Sequence, residues 1–279
     1  MYLNLIDNIN SPGYPVTCEE DVSLCVGPVM GEVTQSKAVI LLEVKSDLRA
    51  RMEITCELYK KGTSTVLSKQ TIIFSSRSPR AFVFQEETET GLEADTEYVA
   101  VFHGLNVVDA PRAFALFKTK PETIKNFRII AFSCDRPDRM FLGQKNPWYD
   151  IAKRSYKTDV ILHLGDQVYN KGEDNDKTCQ LFGEEYEAMD DTEKKLMKKR
   201  GRALLAKKYR ETWNKKATRS SLQQGCHLMI WSDNDVANDF TTMKDQSGEQ
   251  AYPPAFLQVG IEMYRDYQRL LWDTNLTSG

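Results

Sequence analysis

Hydrophobic residues in the first 120 positions recur in short runs that are separated by turn residues. In RMEITCELY, residues 51–59, apolar and polar side chains alternate, which is typical of a strand with one buried and one solvated face. No segment between these runs has the period of an amphipathic helix. The pattern predicts an all-β N-terminal domain with strands at 37–44, 51–59, 65–74, 80–87, 96–104 and 112–119.

After residue 126 the apolar runs no longer alternate, and each ends abruptly in polar residues. Three such runs are FRIIAFSCD (127–135), TDVILHLGDQVY (158–169) and HLMIWSDND (227–235). Between the first two, residues 146–156 have apolar side chains at helical spacing after a proline. This order predicts a β-α-β unit whose parallel sheet is covered on both faces, with the polar strand ends together at one edge.

The strand ends supply a candidate metal site. Cys134, Asp166 and Tyr169 can each offer an anionic donor to a ferric-type ion. Gly165 lets the backbone turn sharply before Asp166. The alternative is an ordinary Gly-Asp turn without a metal, but the agreement of three strand ends favours a site.

Composition narrows the possible partners and compartments. The 279 residues carry a formal net charge of -3, so nothing global favours nucleic acid or an anionic membrane as a partner. Six cysteines without a CxxC pair indicate reduced thiols. The N-terminus lacks the pattern of a signal peptide, and no window has the apolar length of a membrane span. We therefore expect an intracellular, soluble protein without a membrane partner.

A helical, basic insertion separates the second and third apolar runs, over residues 184–219. Eleven lysines and arginines lie in 194–216, with an apolar stripe at helical spacing that includes Leu205 and Tyr209. A solvated helix face is the simpler interpretation. The alternative is a docking face for an acidic partner or a phosphate-bearing polymer.

Two resemblances follow from these segments. GLEADTEYVAVF, residues 91–102, resembles a fibronectin type III stretch, in which Tyr98 would be a corner tyrosine that bonds to upstream backbone. The ordered segments VGPVMGEVT, FSC, LHLGDQVY, WSDNDVAND and YRDYQRLLW resemble the alkaline phosphatase D (PhoD-like) branch of the calcineurin-like metallophosphoesterases. The second resemblance implies hydrolysis of phosphomonoesters or phosphodiesters at a two-metal centre that holds iron and calcium.

The expected fold is a fibronectin-III/Ig-like β-sandwich followed by a partial α/β metallophosphoesterase domain with calcineurin-like β-α-β layers. The expected division of the chain is an N-terminal extension (1–24), the sandwich (25–119), a linker (120–126) and the phosphoesterase domain (127–279).

The resemblance also implies roles for single residues. Cys134, Asp166 and Tyr169 match the ligands of the first metal ion, and Asp166 would bridge both ions. Asp233 and Asn238 match oxygen ligands of the second ion, which suit calcium.

The chain departs from the family pattern in two places. The third motif usually reads Trp-Asp-Asp-His-Asp/Glu, whereas here Asn234 takes the place of the histidine, and the candidate catalytic residues become Asn234 and Asp235. An amide exchanges no proton near pH 7, so turnover is expected to fall by ~10²–10⁴-fold. The family's C-terminal Gly-x-x-His ligands also have no counterpart, since the only histidines are His103, His163 and His227.

Three functions remain open at this point. The first is a weakened phosphoesterase, and the second is an inactive pseudophosphatase that serves as an interaction component of a larger assembly. The third is a binding module in which the sandwich recognises a partner. In each case we expect a protein partner, or further chain, to cover the open edge of the sheet or to contact the basic helix.

Overall fold

A computed structural model describes residues 24–45, 52–74, 78–85, 91–106, 113–136, 146–241 and 252–277. The expected N-terminal extension therefore lies outside the described residues, apart from Leu24.

The N-terminal part contains two antiparallel sheets that share one hydrophobic core. The first sheet has the order β1-β2-β5, with β1 at Leu24–Val33, β2 at Lys37–Val44 and β5 at Arg80–Gln85. The second has the order β4-β3-β6-β7, with β3 at Met52–Lys60, β4 at Val66–Phe74, β6 at Glu97–His103 and β7 at Phe114–Lys118.

All six predicted strands are present. Phe82, Phe102 and Phe117 are buried between the sheets. The Tyr98 hydroxyl accepts a hydrogen bond of 2.7 Å from Glu93 N, which is the predicted bond to upstream backbone. The closer likeness to fibronectin type III remains a prediction.

A third sheet is parallel and has the order β10-β9-β8. Its strands are β8 at Ile129–Phe132, β9 at Val160–Leu164 and β10 at His227–Ile230. Helix α1, Pro147–Ser155, connects β8 with β9 and begins at Asn146, whose side chain accepts from Trp148 N. The predicted β-α-β unit is confirmed, and the carboxyl ends of all three strands lie at one edge.

Helices form a layer beside the parallel sheet. They are α2 (Glu173–Gln180), α3 (Glu184–Ala188), α4 (Asp191–Trp213), α5 (Lys216–Leu222) and α6 (Pro254–Tyr267), followed by 3₁₀ turns at Arg269–Leu271 and Thr274–Thr277. Helix α4 begins with a capping box between Asp190 and Glu193. Its apolar stripe packs on α6, which confirms the amphipathic interpretation of the insertion.

The helical layer is joined to the first sheet by a buried polar cluster, the Glu43 clamp, formed by Glu43, Arg210 and Tyr267. Glu43 of β2 is fully buried and accepts hydrogen bonds from the Arg210 guanidinium of α4. The Tyr267 hydroxyl of α6 donates to its other oxygen at 2.7 Å. Strand β1 adds Val26 and Val29 to the helical core. The insertion is therefore an integral layer of the fold.

The prediction that the parallel sheet is covered on both faces is wrong within the described residues. Ile129, Leu164 and Ile230 are 56%, 51% and 53% exposed on one face of the sheet. Val160, at the amino end of the same face, packs against the sandwich core. Ile129 lies beside Val160 at the amino end of β8, whereas Leu164 and Ile230 end β9 and β10, so exposed apolar residues occur at both ends of this face. In the described ranges, no helix combines the length and apolar character needed to cross a bilayer.

Candidate metal centre

The loops that follow β8 and β9 bring a thiol, a carboxylate and a phenol together. The Asp166 Oδ2 atom lies 3.4 Å from Cys134 Sγ and accepts a hydrogen bond of 2.9 Å from the Tyr169 hydroxyl. The backbones meet as well, because Cys134 N and Asp135 N donate to the carbonyls of Gly165 and Asp166. The three residues predicted to bind the first ion thus converge on one carboxylate oxygen.

Two of these three residues, Cys134 and Asp166, have a left-handed backbone conformation. Cys134 has φ 66° and Asp166 has φ 55°, which is a costly conformation for residues with a Cβ atom. Gly165, at φ 97°, is needed for a further reason, since a Cβ atom there would lie 2.7 Å from Ser232 Cβ. The loops after β9 and β10 are therefore in close contact, and this contact determines the geometry of the centre.

The loop after β10 contributes Asp233 and Asn234. The Asn234 amide nitrogen lies 3.3 Å from Asp166 Oδ2 and 3.3 Å from Asp233 Oδ2, so it spans the two carboxylates. Ser232 Oγ donates to Asp233 Oδ1 at 2.9 Å, and Asp239 N donates to Asp233 Oδ2. The residue at the family's histidine position is thus in contact with candidate ligands of both ions.

Asn238 is placed differently from the other candidates. Its side chain is exposed, and its amide donates to Asp239 Oδ2 at 2.6 Å. Its backbone N donates to the Asn170 carbonyl. The structure does not bring the Asn238 side chain to Asp166, and its role as a ligand of the second ion remains a prediction.

The Asp235 carboxylate accepts hydrogen bonds from three backbone amides. Its Oδ1 accepts from Gln167 N at 2.9 Å and Val168 N at 3.2 Å, and its Oδ2 accepts from Ser232 N at 2.9 Å. Burial raises the pKa of Asp235 to about 7, while these bonds act in the opposite direction. This geometry holds the β9 and β10 loops together, and it lends no support to the catalytic role predicted for Asp235.

Asp135 is a polar residue of the centre that sequence reasoning missed. Trp148 Nε1 donates to Asp135 Oδ1 at 3.0 Å, and burial raises the pKa of this carboxyl to about 6. The sequence did offer one signal for Asp135, which is its position directly after Cys134 at the end of a strand. Periodicity does not reveal that this carboxyl is buried, because the burial depends on Trp148 of α1.

The donor set fits a bound cation. Three oxygens in this region, Asp166 Oδ1, Asn234 Oδ1 and Asp135 Oδ2, are buried without a hydrogen-bond partner. Buried acceptors of this kind need a cation, a water or a donor to compensate their desolvation. Across the described residues, no three His, Cys, Asp or Glu side chains form a metal-binding group by themselves. The donors that the contacts bring together also include the Tyr169 phenol and the Asn234 amide.

Metal binding would have to remove a proton from Tyr169. Burial first, and then the neighbouring Cys134 and Asp166, raise the pKa of this phenol. Tyr169 would hold the ion as a phenolate, so the affinity for metal should rise with pH.

Comparison with known proteins identifies a family and a solved structure that this chain resembles. The sequence model of the family described as PhoD-like phosphatase matches residues 129–267, about half of the chain. A search of curated protein sequences found no match. A solved structure titled "Structure of PhoD" superimposes with a TM-score of 0.61 at 13% identity, over 92% of this chain and 47% of that chain. This chain therefore spans about half the length of that structure.

Two other solved structures match only weakly. A computationally redesigned β-sandwich protein covers 35% of this chain and 89% of its own, with 13% identity and a TM-score of 0.23. A Paenibacillus cycloisomaltooligosaccharide glucanotransferase covers 53% of this chain and 21% of its own, with 11% identity and a TM-score of 0.28. Neither similarity carries an argument about function. The family match and the shared fold agree, and the chain belongs to the PhoD-like phosphatase family.

Proposed function

We propose that this chain provides part of a metal-dependent phosphoesterase centre that hydrolyses phosphomonoesters or phosphodiesters, with activity weakened by Asn234. The observation that supports it most directly is the convergence of Cys134, Tyr169 and Asn234 on Asp166 Oδ2, at 3.4, 2.9 and 3.3 Å. The side chains that the family resemblance assigns to the first ion, and the residue at the family's histidine position, thus surround the carboxylate that would be shared by both ions.

Each residue would have its own role in the proposed centre. Cys134, Asp166 and Tyr169 would hold one ion, which the family resemblance suggests is iron, and Asp233 with Asn238 would hold calcium. Two such cations would polarise the phosphoryl group and activate water near neutral pH. Asp235 would keep the two loops in register through its three backbone hydrogen bonds. Asn234 could donate a hydrogen bond to a phosphoryl oxygen but could not transfer a proton.

A second candidate is a pseudophosphatase within a larger assembly. The Asn234 amide that spans Asp166 and Asp233 favours it, because this contact gives one oxygen of each carboxylate a hydrogen-bond donor without a cation. The exposed apolar patch at Ile129, Leu164 and Ile230 is consistent with a partner, or further chain, that covers the sheet. The basic helix is a weaker docking candidate, since Arg202 and Arg210 already pair with carboxylates.

Metal content and hydrolysis, measured on the same samples, distinguish the phosphoesterase from the pseudophosphatase. Elemental mass spectrometry after dialysis should find close to two ions per chain, and bis-p-nitrophenyl phosphate should be hydrolysed slowly. Asp166→Asn should lose both ions because it weakens the shared ligand. Asp239→Asn, at an exposed carboxylate of the same region, serves as the control and should retain at least the ion held by Cys134, Asp166 and Tyr169. Retention of both ions by Asp166→Asn would contradict the bridging role, and absence of metal from the unmodified chain would favour the pseudophosphatase.

A further inference from the structure

The basic residues of α4 differ in whether they have a partner. Those in ion pairs are Arg202, Lys207, Lys208 and Arg210. Lys195, Lys199 and Arg200 are exposed, and their side chains form no hydrogen bond or ion pair within the ranges that the structure describes. Positive charge therefore remains uncompensated over the second and third turns of the helix.

An exposed apolar side chain lies among these cations. Leu196 is 60% exposed, Lys199 and Arg200 follow it by one helical turn, and the exposed Ala203 follows it by two. Positions i, i+3, i+4 and i+7 share one side of a helix. We call this surface, formed by Lys195, Leu196, Lys199, Arg200 and Ala203, the basic face.

The opposite side of α4 fixes the orientation of the basic face. Met197 and Leu205 are buried in the helical core. A Cβ atom on Gly201 would lie 3.1 Å from the Phe182 ring and 3.3 Å from Val259, so α4 is closely packed against its neighbours. Packing this close leaves α4 no room to rotate about its axis and bury Leu196. The basic face is thus a rigid surface that contacts solvent.

The residues of the basic face match an acidic amphipathic helix. Its cations complement carboxylates, Leu196 complements an apolar side chain, and the small Ala203 lets a second helix approach closely. Paired helices join in this way, because charged residues beside an apolar seam select the partner. A bilayer would require a broad apolar side, and single-stranded nucleic acid would stack its bases on aromatic side chains, neither of which the basic face provides.

We propose that the basic face of α4 docks an acidic amphipathic helix of another protein. Lys195, Lys199 and Arg200 would pair with carboxylates on that helix, while Leu196 and Ala203 would contact its apolar side chains. Each exposed ion pair contributes little by itself, so the affinity should be modest and should decrease as salt is added. The inference does not depend on the candidate metal centre, so it can fail while the proposed function stands.

The test is the fluorescence anisotropy of a labelled synthetic helical peptide, with leucines along one side and glutamates beside them, titrated with the full chain at low salt. Lys195→Gln/Lys199→Gln/Arg200→Gln should weaken binding about tenfold or more, because three charge pairs are lost. Leu196→Asn keeps every cation and should weaken binding about threefold or more, because the apolar contact is lost.

A second cluster of cations supplies the matched control. Lys153→Gln/Arg154→Gln/Lys157→Gln also removes two lysines and one arginine, from exposed positions at the end of α1, and changes the net charge equally. This variant should bind the peptide as the unmodified chain does. Circular dichroism of each variant verifies that it is folded, and Leu196→Asn still decides the point if the triple variant of α4 unfolds.

Several results would overturn the inference. One is that the unmodified chain does not bind the acidic peptide, or binds a peptide with lysines in place of the glutamates equally well. Equal losses in the two triple variants would show that net charge governs binding, and unchanged binding by Leu196→Asn would show that no apolar contact is made. Binding of phosphatidylserine vesicles or a single-stranded oligonucleotide through the same residues, without binding of the peptide, would also contradict it.

Discussion

Asn234 stands where the family pattern has a histidine, and under the proposed function this one side chain would determine whether the centre can transfer a proton. Its amide donates towards two carboxylates and keeps them apart without any change of charge. An imidazole in the same place could also donate a hydrogen bond, and it could exchange a proton near neutral pH. The shape of the centre and its chemistry are therefore separable at this residue.

Restoring the imidazole tests this separation. Asn234→His should raise kcat/KM for bis-p-nitrophenyl phosphate by at least ~10-fold, and by up to ~10²–10⁴-fold if the imidazole acts as a full general acid or base. Asn106→His, which adds an imidazole at an exposed position of the N-terminal part, should change nothing. A folded Asn234→His variant with two bound ions and unchanged kinetics would show that proton transfer does not limit the rate.

A buried histidine pair beneath the centre responds to acid. His163 Nε2 lies 2.8 Å from His227 Nδ1, and His227 Nε2 contacts the carbonyls of Ser221 and Gln224. Burial lowers the pKa of both residues, that of His227 to about 4. The unfolded chain therefore binds protons below pH ~6.5 that the folded chain takes up only at lower pH, which for His227 is about 4.

Folding stability should consequently decrease as the pH falls from ~6.5 to about 4, by about 3 kcal/mol or more from the pair. Asp135 and Asp235, whose pKa values are raised, act in the opposite direction. The comparison of urea unfolding at pH 7.5 and pH 5 with a His163→Leu/His227→Leu double variant isolates the histidine contribution. His103→Gln, at an exposed histidine of β6, should keep the acid sensitivity. Equal acid sensitivity in the double variant would contradict this assignment.

At the scale of elements, the contact between the β9 and β10 loops determines the centre. Gly165 meets Ser232, Asp235 accepts from backbone amides of both loops, and Asn170 Nδ2 donates to the Asp235 carbonyl. Apart from the local bond between Ser232 and Asp235, these contacts join residues more than 60 positions apart. The side chains that would bind metal depend on this junction for their relative positions.

Two glycine substitutions test how much the contact between the β9 and β10 loops contributes to stability. Gly165→Ala forces a Cβ atom to within 2.7 Å of Ser232 Cβ at a backbone φ of 97°. Gly172→Ala has a similar φ of 106° but meets nothing within 4 Å, so it reports backbone strain alone. Gly165→Ala should therefore lower the free energy of unfolding by ~1–3 kcal/mol more than Gly172→Ala does, and it should also weaken metal binding. Equal destabilisation would mean that the loops can separate at little cost.

The elements themselves were largely predictable from periodicity. The apolar run KAVILLEV predicted a strand at 37–44, and β2 covers the same residues, because turn residues flank the run on both sides. Cys134, Asp166 and Asp233 could be grouped in advance, because the carboxyl ends of parallel strands share one edge. The inward orientation of Asp235 and the exposure of Asn238 could not be predicted, since both depend on a loop junction without a periodic signal. The open face of the sheet was missed because an apolar strand does not reveal what lies above it.

At the scale of the whole molecule, the Glu43 clamp links the N-terminal sheets to the helical layer. A buried carboxylate without its cation is costly, so each member depends on the others. Burial and Glu43 also raise the pKa of Tyr267, which keeps its phenol protonated as a donor. The clamp joins elements that are separated by more than 160 residues in sequence.

Removing the charge of Glu43 should destabilise the whole molecule. Glu43→Gln leaves the partly buried Arg210 guanidinium without its charged partner, which is expected to cost ~3–5 kcal/mol. Glu32→Gln, at a partly exposed pair with Lys37 on the same sheet, should cost less than ~1 kcal/mol. Chemical unfolding followed separately by near-ultraviolet and far-ultraviolet circular dichroism gives both values. A Glu43→Gln variant as stable as Glu32→Gln would show that the clamp contributes little.

Strand β1 belongs to two hydrophobic cores, since Leu24 and Met30 pack in the sandwich core while Val26 and Val29 pack among the helices. The two halves therefore have no separate interiors. The expected linker at 120–126 separates two segments of the sequence, but these segments do not form independent hydrophobic cores. A piece cut there would expose apolar residues on both sides of the cut. For evolution, this means that exchange or loss of the β-sheet half would also remove β1 residues from the core of the half that carries the candidate centre.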